Sequence, residues 1–279
     1  MIAYLRLIRV GMLLSPAADV VAGLALTGTP WTLAAGRAAV ASACVYAAGM
    51  ALNDHADRAV DAVERPERPI PSGKIPASVA LLLGLGLMAG AILISPGPLF
   101  HAALCALVLA YDYGCKRIVW LGAAFMATLR GLNLTTAHLL FGATDLPPVL
   151  MYAALAYGLY IFAVTILGWL EDVPNAKPKA VLALVLVPPL VALLALLQTE
   201  QAVFAAGPAG VLALGFWLRV ARRRTWDRGA IRGAMTWLLI GTMLYTALLC
   251  AGSGRFVEAG GVLLAAVIGR RISRSIAVT

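Results

Sequence analysis

Long apolar blocks separated by short polar connections organise the whole chain. Nine of them approach the ~20 residues that cross a bilayer as an α-helix, near 10–28, 35–53, 77–95, 98–115, 119–141, 148–170, 179–197, 203–220 and 233–252. None alternates as the strands of a membrane β-barrel do, and the Gly, Ala and Pro spread through them suit close packing of helices in lipid. The pattern predicts an all-α fold, a polytopic membrane helix bundle of about nine transmembrane helices. Composition strengthens this: 62% of the 279 residues are hydrophobic and 13% charged, whereas soluble domains carry roughly 45–50% apolar and about 25% charged residues. The opening MIAYLRLIRV is short and runs directly into the first span, unlike a cleavable signal. Cys44, Cys105, Cys115 and Cys250 lie scattered in apolar blocks and read as small core residues rather than disulfides or zinc ligands.

A formal net charge of +9 on a soluble protein would suggest nucleic acid, but here the basic residues sort by loop. Arg6 and Arg9 precede the first span. Arg58, Arg65, Arg68 and Lys74 follow the second, Lys116 and Arg117 the fourth, and Lys177 and Lys179 the sixth. Arg219, Arg222, Arg223, Arg224, Arg228 and Arg232 follow the eighth, so sixteen of the 22 basic residues share one side. The opposite loops hold Arg37, Asp145 and Glu200. The positive-inside rule places the N-terminus and the loops after even-numbered spans in the cytoplasm. The charge therefore reports topology, and no nucleic-acid partner is expected. After the ninth span, Arg255, Arg270, Arg271 and Arg274 would face outward. The apolar stretch 256–269 is too short for an ordinary span, which leaves the tail 256–279 re-entrant or interfacial.

The densest chemistry follows the second span: Asn53-Asp54-His-Ala-Asp57-Arg-Ala-Val-Asp61, then Arg65-Pro-Glu-Arg68-Pro-Ile-Pro-Ser-Gly73. On a continuing helix each residue advances about 100°, so Asp57, Asp61 and Asp54 fall near 40°, 80° and 100° from Asn53, all on one face. His55 points about 200° away and is left out of the site. Three carboxylates and an amide on one face repel one another unless a cation sits among them, and hard oxygen donors suit Mg2+. The prolines end the helix and stiffen a loop that carries Arg65 and Arg68, whose guanidiniums fork onto phosphate oxygens. A solvated loop with helix-end salt bridges is the plain alternative for any one of these charges.

The whole pattern, N-D-x-x-D-x-x-x-D with R-P-x-R-P-I-P-S-G, resembles the first signature of the UbiA superfamily of intramembrane prenyltransferases. That resemblance implies a single membrane domain over 1–279 in which a prenyl diphosphate, bound through Mg2+, is ionised and its allylic carbon joined to an acceptor. It implies that Asn53, Asp54, Asp57 and Asp61 hold the metal and diphosphate, the three aspartates taking the catalytic part, while Arg65 and Arg68 contact phosphate. In Tyr111-Asp-Tyr113-Gly-Cys-Lys116-Arg117, Lys116 and Arg117 would meet phosphate and either tyrosine would take the family's role, against an interfacial anchoring role for both. The family's second acidic signature is reduced here to Glu171 and Asp172, adjacent residues that would point about 100° apart on a helix, as ligands of a second metal. Pro16-Ala-Ala-Asp19-Val-Val-Ala-Gly23, the Tyr-Asp of 111–112 and Met126-Ala-Thr-Leu-Arg130-Gly-Leu-Asn133 are similar to the EboC-like group within the superfamily.

Two further readings concern the interior. Asp19 and Arg130 lie mid-span, where an ionisable group costs about 2.5–3.5 kcal/mol on insertion scales, so both should face the bundle interior. They form either a structural pair or a part of the site, with Arg130 and Asn133 contacting phosphate or acceptor and Asp19 taking a proton. Tyr157 and Tyr160 could steady an allylic cation or simply pack, and His138 reads as interfacial. Leu52-Asn53-Asp54 and Leu170-Glu171-Asp172, each followed two spans on by a basic cluster, hint at a tandem four-helix repeat over 10–117 and 119–224. The expected activity is a Mg2+-dependent prenyltransferase of a bacterial cytoplasmic membrane, its site facing the cytoplasm and its acceptor lipophilic or aromatic. The competing expectation is a non-catalytic carrier of an isoprenoid or other amphiphile that keeps only the first acidic motif.

Overall fold

The computed structural model describes residues 1–141, 145–173, 177–223 and 225–278; Asn175 and Arg224 lie outside the described residues. Among those described, the regular structure is helical throughout. It comprises α1 (Ile2–Leu7), α2 (Leu14–Leu26), α3 (Leu33–Ala56), α4 (Arg58–Glu64), α5 (Ala77–Ile94), α6 (Pro98–Tyr113), α7 (Val119–Phe141), α8 (Pro148–Glu171), α9 (Pro178–Leu196), α10 (Ala202–Ala221), α11 (Arg228–Gly252) and α12 (Phe256–Val278), with short 3-10 turns at Val10–Met12 and Cys115–Arg117. Each predicted span coincides with one of α2, α3 and α5–α11. Six of these helices (α3, α5, α8, α9, α10 and α11) are long and apolar enough to cross a membrane, and the segments Val10–Leu26 and Pro98–Tyr113 are shorter apolar helices.

The boundaries follow local chemistry. Thr32 caps α3, its Oγ1 accepting from the Ala35 N–H (3.1 Å), and Asp227 caps α11, Oδ1 accepting from the Ala230 N–H (2.7 Å). Pro98, Pro148 and Pro178 each open a helix, where the missing N–H would have been unpaired anyway.

The chain divides into two compact units. The first comprises 1–20, 31–116 and 264–279. In it α3 packs on both α5 and α6, and α5 on α6. Leu7, Ala51, Ile75 and Ala80 form a small buried cluster joined by Ile70, which pins the connection after α4 to the helices beneath it. The second unit comprises 21–30 and 117–263. There α8 packs on α7, α9 and α11, and α10 on α9 and α11, around a core that includes Tyr157, Tyr160, Leu167, Leu196, Tyr245 and Leu249.

Residues 256–269 continue into one helix, α12, 23 residues long, which is not among the helices long and apolar enough to cross a membrane. Its C-terminal half returns to the N-terminal segment: the Arg6 Nε donates to the Ile276 carbonyl (2.9 Å), and Gly11 and Gly269 bring the two backbones into direct contact. Arg270, Arg271 and Arg274 lie in the half of α12 that meets the N-terminal segment.

Candidate functional site

The site in the first unit is built where α3 passes into α4. Asp57 sits at the junction with φ −88° and ψ 1°, but the helical hydrogen bonds run through it. The Asp57 N–H donates to the Asn53 carbonyl and the Asp61 N–H to the Asp57 carbonyl, both at 2.9 Å. The near-continuous helix keeps Asn53, Asp54, Asp57 and Asp61 on one side, as the 100° arithmetic required. Helix α4 stops at Glu64, before Pro66, and the chain then folds through turns in which the Arg68 N–H donates to the Arg65 carbonyl (3.1 Å) and the Ser72 N–H to the Arg68 carbonyl (3.0 Å). Gly73 adopts φ 73°, a left-handed turn suited to glycine. This folding returns Arg68 to the acidic face.

Two clusters of charge result. Arg68 lies between Asp61 (Nη1–Oδ2 2.6 Å) and Asp54 (Nη1–Oδ1 3.3 Å), with Arg65 3.7 Å from Asp61 and Arg9 3.6 Å from Asp54. Beside it, the Lys116 Nζ lies 2.7 Å from an Asp57 oxygen and donates to the Asn53 Oδ1 (3.2 Å), while the Asn53 amide donates to the second Asp57 oxygen (3.1 Å). Asp54 and Asp61 are buried, Asp61 at 1% exposure. Buried carboxylates require paired charge and hydrogen bonds, and four cations, Arg65 and Arg68 from the same segment with Arg9 and Lys116 from elsewhere, face the three carboxylates.

Among the described residues, no three acidic, His or Cys side chains converge into a metal cage. Mg2+ usually takes one or two carboxylates and completes its shell with water and substrate phosphate oxygens. The donor set here, carboxylate and amide oxygens on one helical face, fits that ion.

The two tyrosines separate. Tyr111 is within electrostatic reach of Asp57, Asp112 and Arg9. Tyr113 turns away to His55, its hydroxyl 2.9 Å from Nδ1. Arg117 is exposed, and Asp19 and Asn133 are buried. Arg130 packs over the Tyr157 ring, 5.1 Å from its centroid, and hydrogen-bonds that residue's hydroxyl. The Tyr160 hydroxyl donates to the Leu238 carbonyl (2.6 Å). His138, expected at the interface, is 5% exposed and belongs to the interior.

In the second unit, Glu171 and Asp172 are held by arginines of α11. Helix α8 ends at Glu171, and Asp172 caps it at φ −94° and ψ −4°. Arg228 spans both carboxylates, 2.5 Å from Asp172 and 3.6 Å from Glu171, and Arg232 adds a 2.6 Å contact to Glu171.

Arg9 and Asp112 were missed from the sequence. Arg9 is the only non-glycine at positive φ (50°) among the described residues, and it joins the site from a segment with no motif of its own. Asp112 is buried, has one oxygen without a hydrogen-bond partner, and feels the charges of Lys116, Asp57, Arg9 and Asp54. Its signal was its position four residues before Lys116, one helical turn.

Comparison with known proteins gives three kinds of likeness. The profile of the UbiA prenyltransferase family matches residues 13–240. The chain is 44% identical over 113 residues to the digeranylgeranylglyceryl phosphate synthase of Ignicoccus hospitalis, covering 39% of this chain and 37% of that protein. It is 42% identical over 87 residues to the synthase of the same name from Methanopyrus kandleri, covering 31% and 32%. The matches thus span about a third of the length of these relatives. Among solved structures, a UbiA homolog from Archaeoglobus fulgidus bound to GPP and Mg2+ superposes with a TM-score of 0.67 over 91% of this chain and 99% of that one, at 16% identity. The apo structure of a UbiA homolog from Aeropyrum pernix K1 gives 0.64 over 85% and 96%, at 19% identity. At such identities the likeness speaks for the fold.

Proposed function

The chain belongs to the UbiA prenyltransferase family, and from that premise we propose that it is an integral membrane enzyme that moves an isoprenoid chain from a prenyl diphosphate to a glyceryl phosphate acceptor. The observation that carries this reading is the pairing of Arg68 with Asp54 and Asp61 beside the pairing of Lys116 with Asp57 and Asn53. Each cation is held on a carboxylate at hydrogen-bond distance, so each can pass to an incoming phosphate oxygen without moving far. Arg65 and Arg9, at longer distances, complete the phosphate-facing set, and Tyr111 is the tyrosine that takes part.

Asn53, Asp54, Asp57 and Asp61 would hold Mg2+, which when bound supplies positive charge to the leaving diphosphate. The fixed cations of Arg68, Arg65 and Lys116 stabilise the same developing charge without reorganising at the moment of bond cleavage. The allylic C–O bond breaks and diphosphate leaves with the electron pair. The acceptor hydroxyl then bonds to the allylic carbon and gives up its proton, for which buried Asp19 is the proposed acceptor. Arg130 and Asn133 are proposed as contacts to substrate, and Glu171 with Asp172 as a secondary cation site. The site faces the cytoplasm by the distribution of basic residues.

The acceptor class follows from the relatives' names and replaces the aromatic class considered from sequence. The relatives named above are archaeal, so a bacterial membrane draws no support from them. The carrier alternative draws none either, because those relatives are named synthases. The test is incubation of the purified protein with labelled geranylgeranyl diphosphate, Mg2+ and a glyceryl phosphate lipid. A prenylated product that is absent with the Asp57→Asn variant is expected. Mg2+-dependent binding of the diphosphate by the well-folded protein without any turnover would overturn the proposal in favour of the carrier.

A further inference from the structure

The second unit contains an apolar groove of about 340 Å3 whose lining shares no residue with the aspartate site. Its walls come from Tyr160 of α8, from the middle and end of α9 (Pro189, Ala192, Leu196), from α10 between Ala209 and Arg219, and from α11 between Trp237 and Leu248. Ten residues of α10 rise about 15 Å, so the groove is long and narrow rather than round. Pro188 and Pro189 stand inside α9 and withdraw two backbone donors from its ladder, and Pro189 lines the groove. Gly215 lines the groove on α10, where an added Cβ would meet no atom within 4 Å.

One end is chemically unlike the rest. Arg219 lines the groove at the last turn of α10, and Arg222, the residue that caps the helix, and Arg223 follow it directly in the chain, so the basic residues are concentrated at this end. All three are exposed. Among the described residues none of them is in an ion pair or side-chain hydrogen bond, in contrast to Arg65, Arg68, Arg228 and Arg232, which all have carboxylate partners. An apolar channel ending in unpaired cations complements one kind of molecule: a hydrocarbon chain with an anionic head.

We propose that this groove is a binding site for an anionic glycerophospholipid, one chain lying along α10 and its phosphate on Arg219, Arg222 and Arg223. The site is separate from the proposed reaction and does not depend on it. A basic residue at the membrane surface contributes about 1 kcal/mol toward an anionic lipid, close to a fivefold preference each.

The test uses the full chain, purified in detergent and exposed in turn to phosphatidylglycerol and phosphatidylcholine of identical acyl chains, with retained lipid counted by native mass spectrometry. Preferential retention of phosphatidylglycerol is expected. Arg219→Gln should reduce that preference about fivefold while leaving weak chain-dependent retention of both lipids. Gly215→Leu, which fills empty space without meeting a neighbour, should abolish retention of both, with circular dichroism and gel filtration unchanged. Equal retention of the two lipids, or retention unaffected by Gly215→Leu, would overturn the proposal. So would displacement of the bound lipid by farnesyl diphosphate at matched concentration, because the groove would then belong to the substrate.

Discussion

The two acidic segments end helices at corresponding places in the order of spans, yet they hold their charges differently. After α3, Asp54 and Asp61 have side chains 7% and 1% exposed and share an arginine itself only 21% exposed. That arginine lies 14 residues from Asp54 and 7 from Asp61. After α8, Asp172 is 47% exposed and Glu171 11%, and the arginines that hold them, Arg228 on both and Arg232 on Glu171, are 58% and 63% exposed and come from a separate helix more than fifty residues on. Exposed pairs are worth about 0–1 kcal/mol. Buried ones are strongly destabilising when one partner is removed, by about 3–5 kcal/mol. The first segment thus holds its two buried carboxylates chiefly with an arginine of its own, Arg68, while the second is a clasp between α8 and α11 made by exposed arginines.

The largest expected effect is on turnover at the first segment. Asp57→Asn or Asp54→Asn should lower product formation by about 10²–10³-fold, the scale of losing one preorganised electrostatic contributor, measured by product release from labelled diphosphate. Comparable activity in both variants would remove the aspartates from the reaction. Next comes stability. Arg68→Ala should lower the unfolding free energy by about 3–5 kcal/mol, read as a shifted thermal transition in detergent, with Arg68→Lys recovering part of it. An unchanged transition would mean that the buried carboxylates find other partners. Smaller still, Lys116→Gln removes a charged hydrogen-bond partner worth about 1.5–3 kcal/mol. Weaker diphosphate binding by titration calorimetry, with little change in melting, is the expected split. The smallest effect is reserved for the second segment. Arg228→Gln with Arg232→Gln should move the thermal transition by no more than about 1 kcal/mol equivalent. A shift as large as that of Arg68→Ala would erase the distinction between the two segments.

Much of this comparison was legible in the sequence. The nine spans fell within a few residues of nine helices because apolar length is a direct signal in lipid. The one-faced aspartates followed from the helical repeat alone, since the α3–α4 junction preserves the hydrogen bonds through Asp57. What stayed hidden depended on distance along the chain. Nothing near Glu171 announces Arg232, and nothing near Asp54 announces Arg9. The pairing of Tyr113 with His55 was equally unreadable, because it depends on how α6 is rotated against α3. The full length of helix α12 was not legible because Arg270, Arg271 and Arg274 interrupt the apolar run within it.

The contact between Gly11 and Gly269 also sets an order of events. Arg9 precedes Gly11 by two residues, and its left-handed backbone conformation costs about 1–3 kcal/mol unless its surroundings hold it. Residues 269–276 are synthesised long after the aspartates of α3, so the segment that carries Arg9 gains its contacts with α12 only after the acidic face of the site has been made.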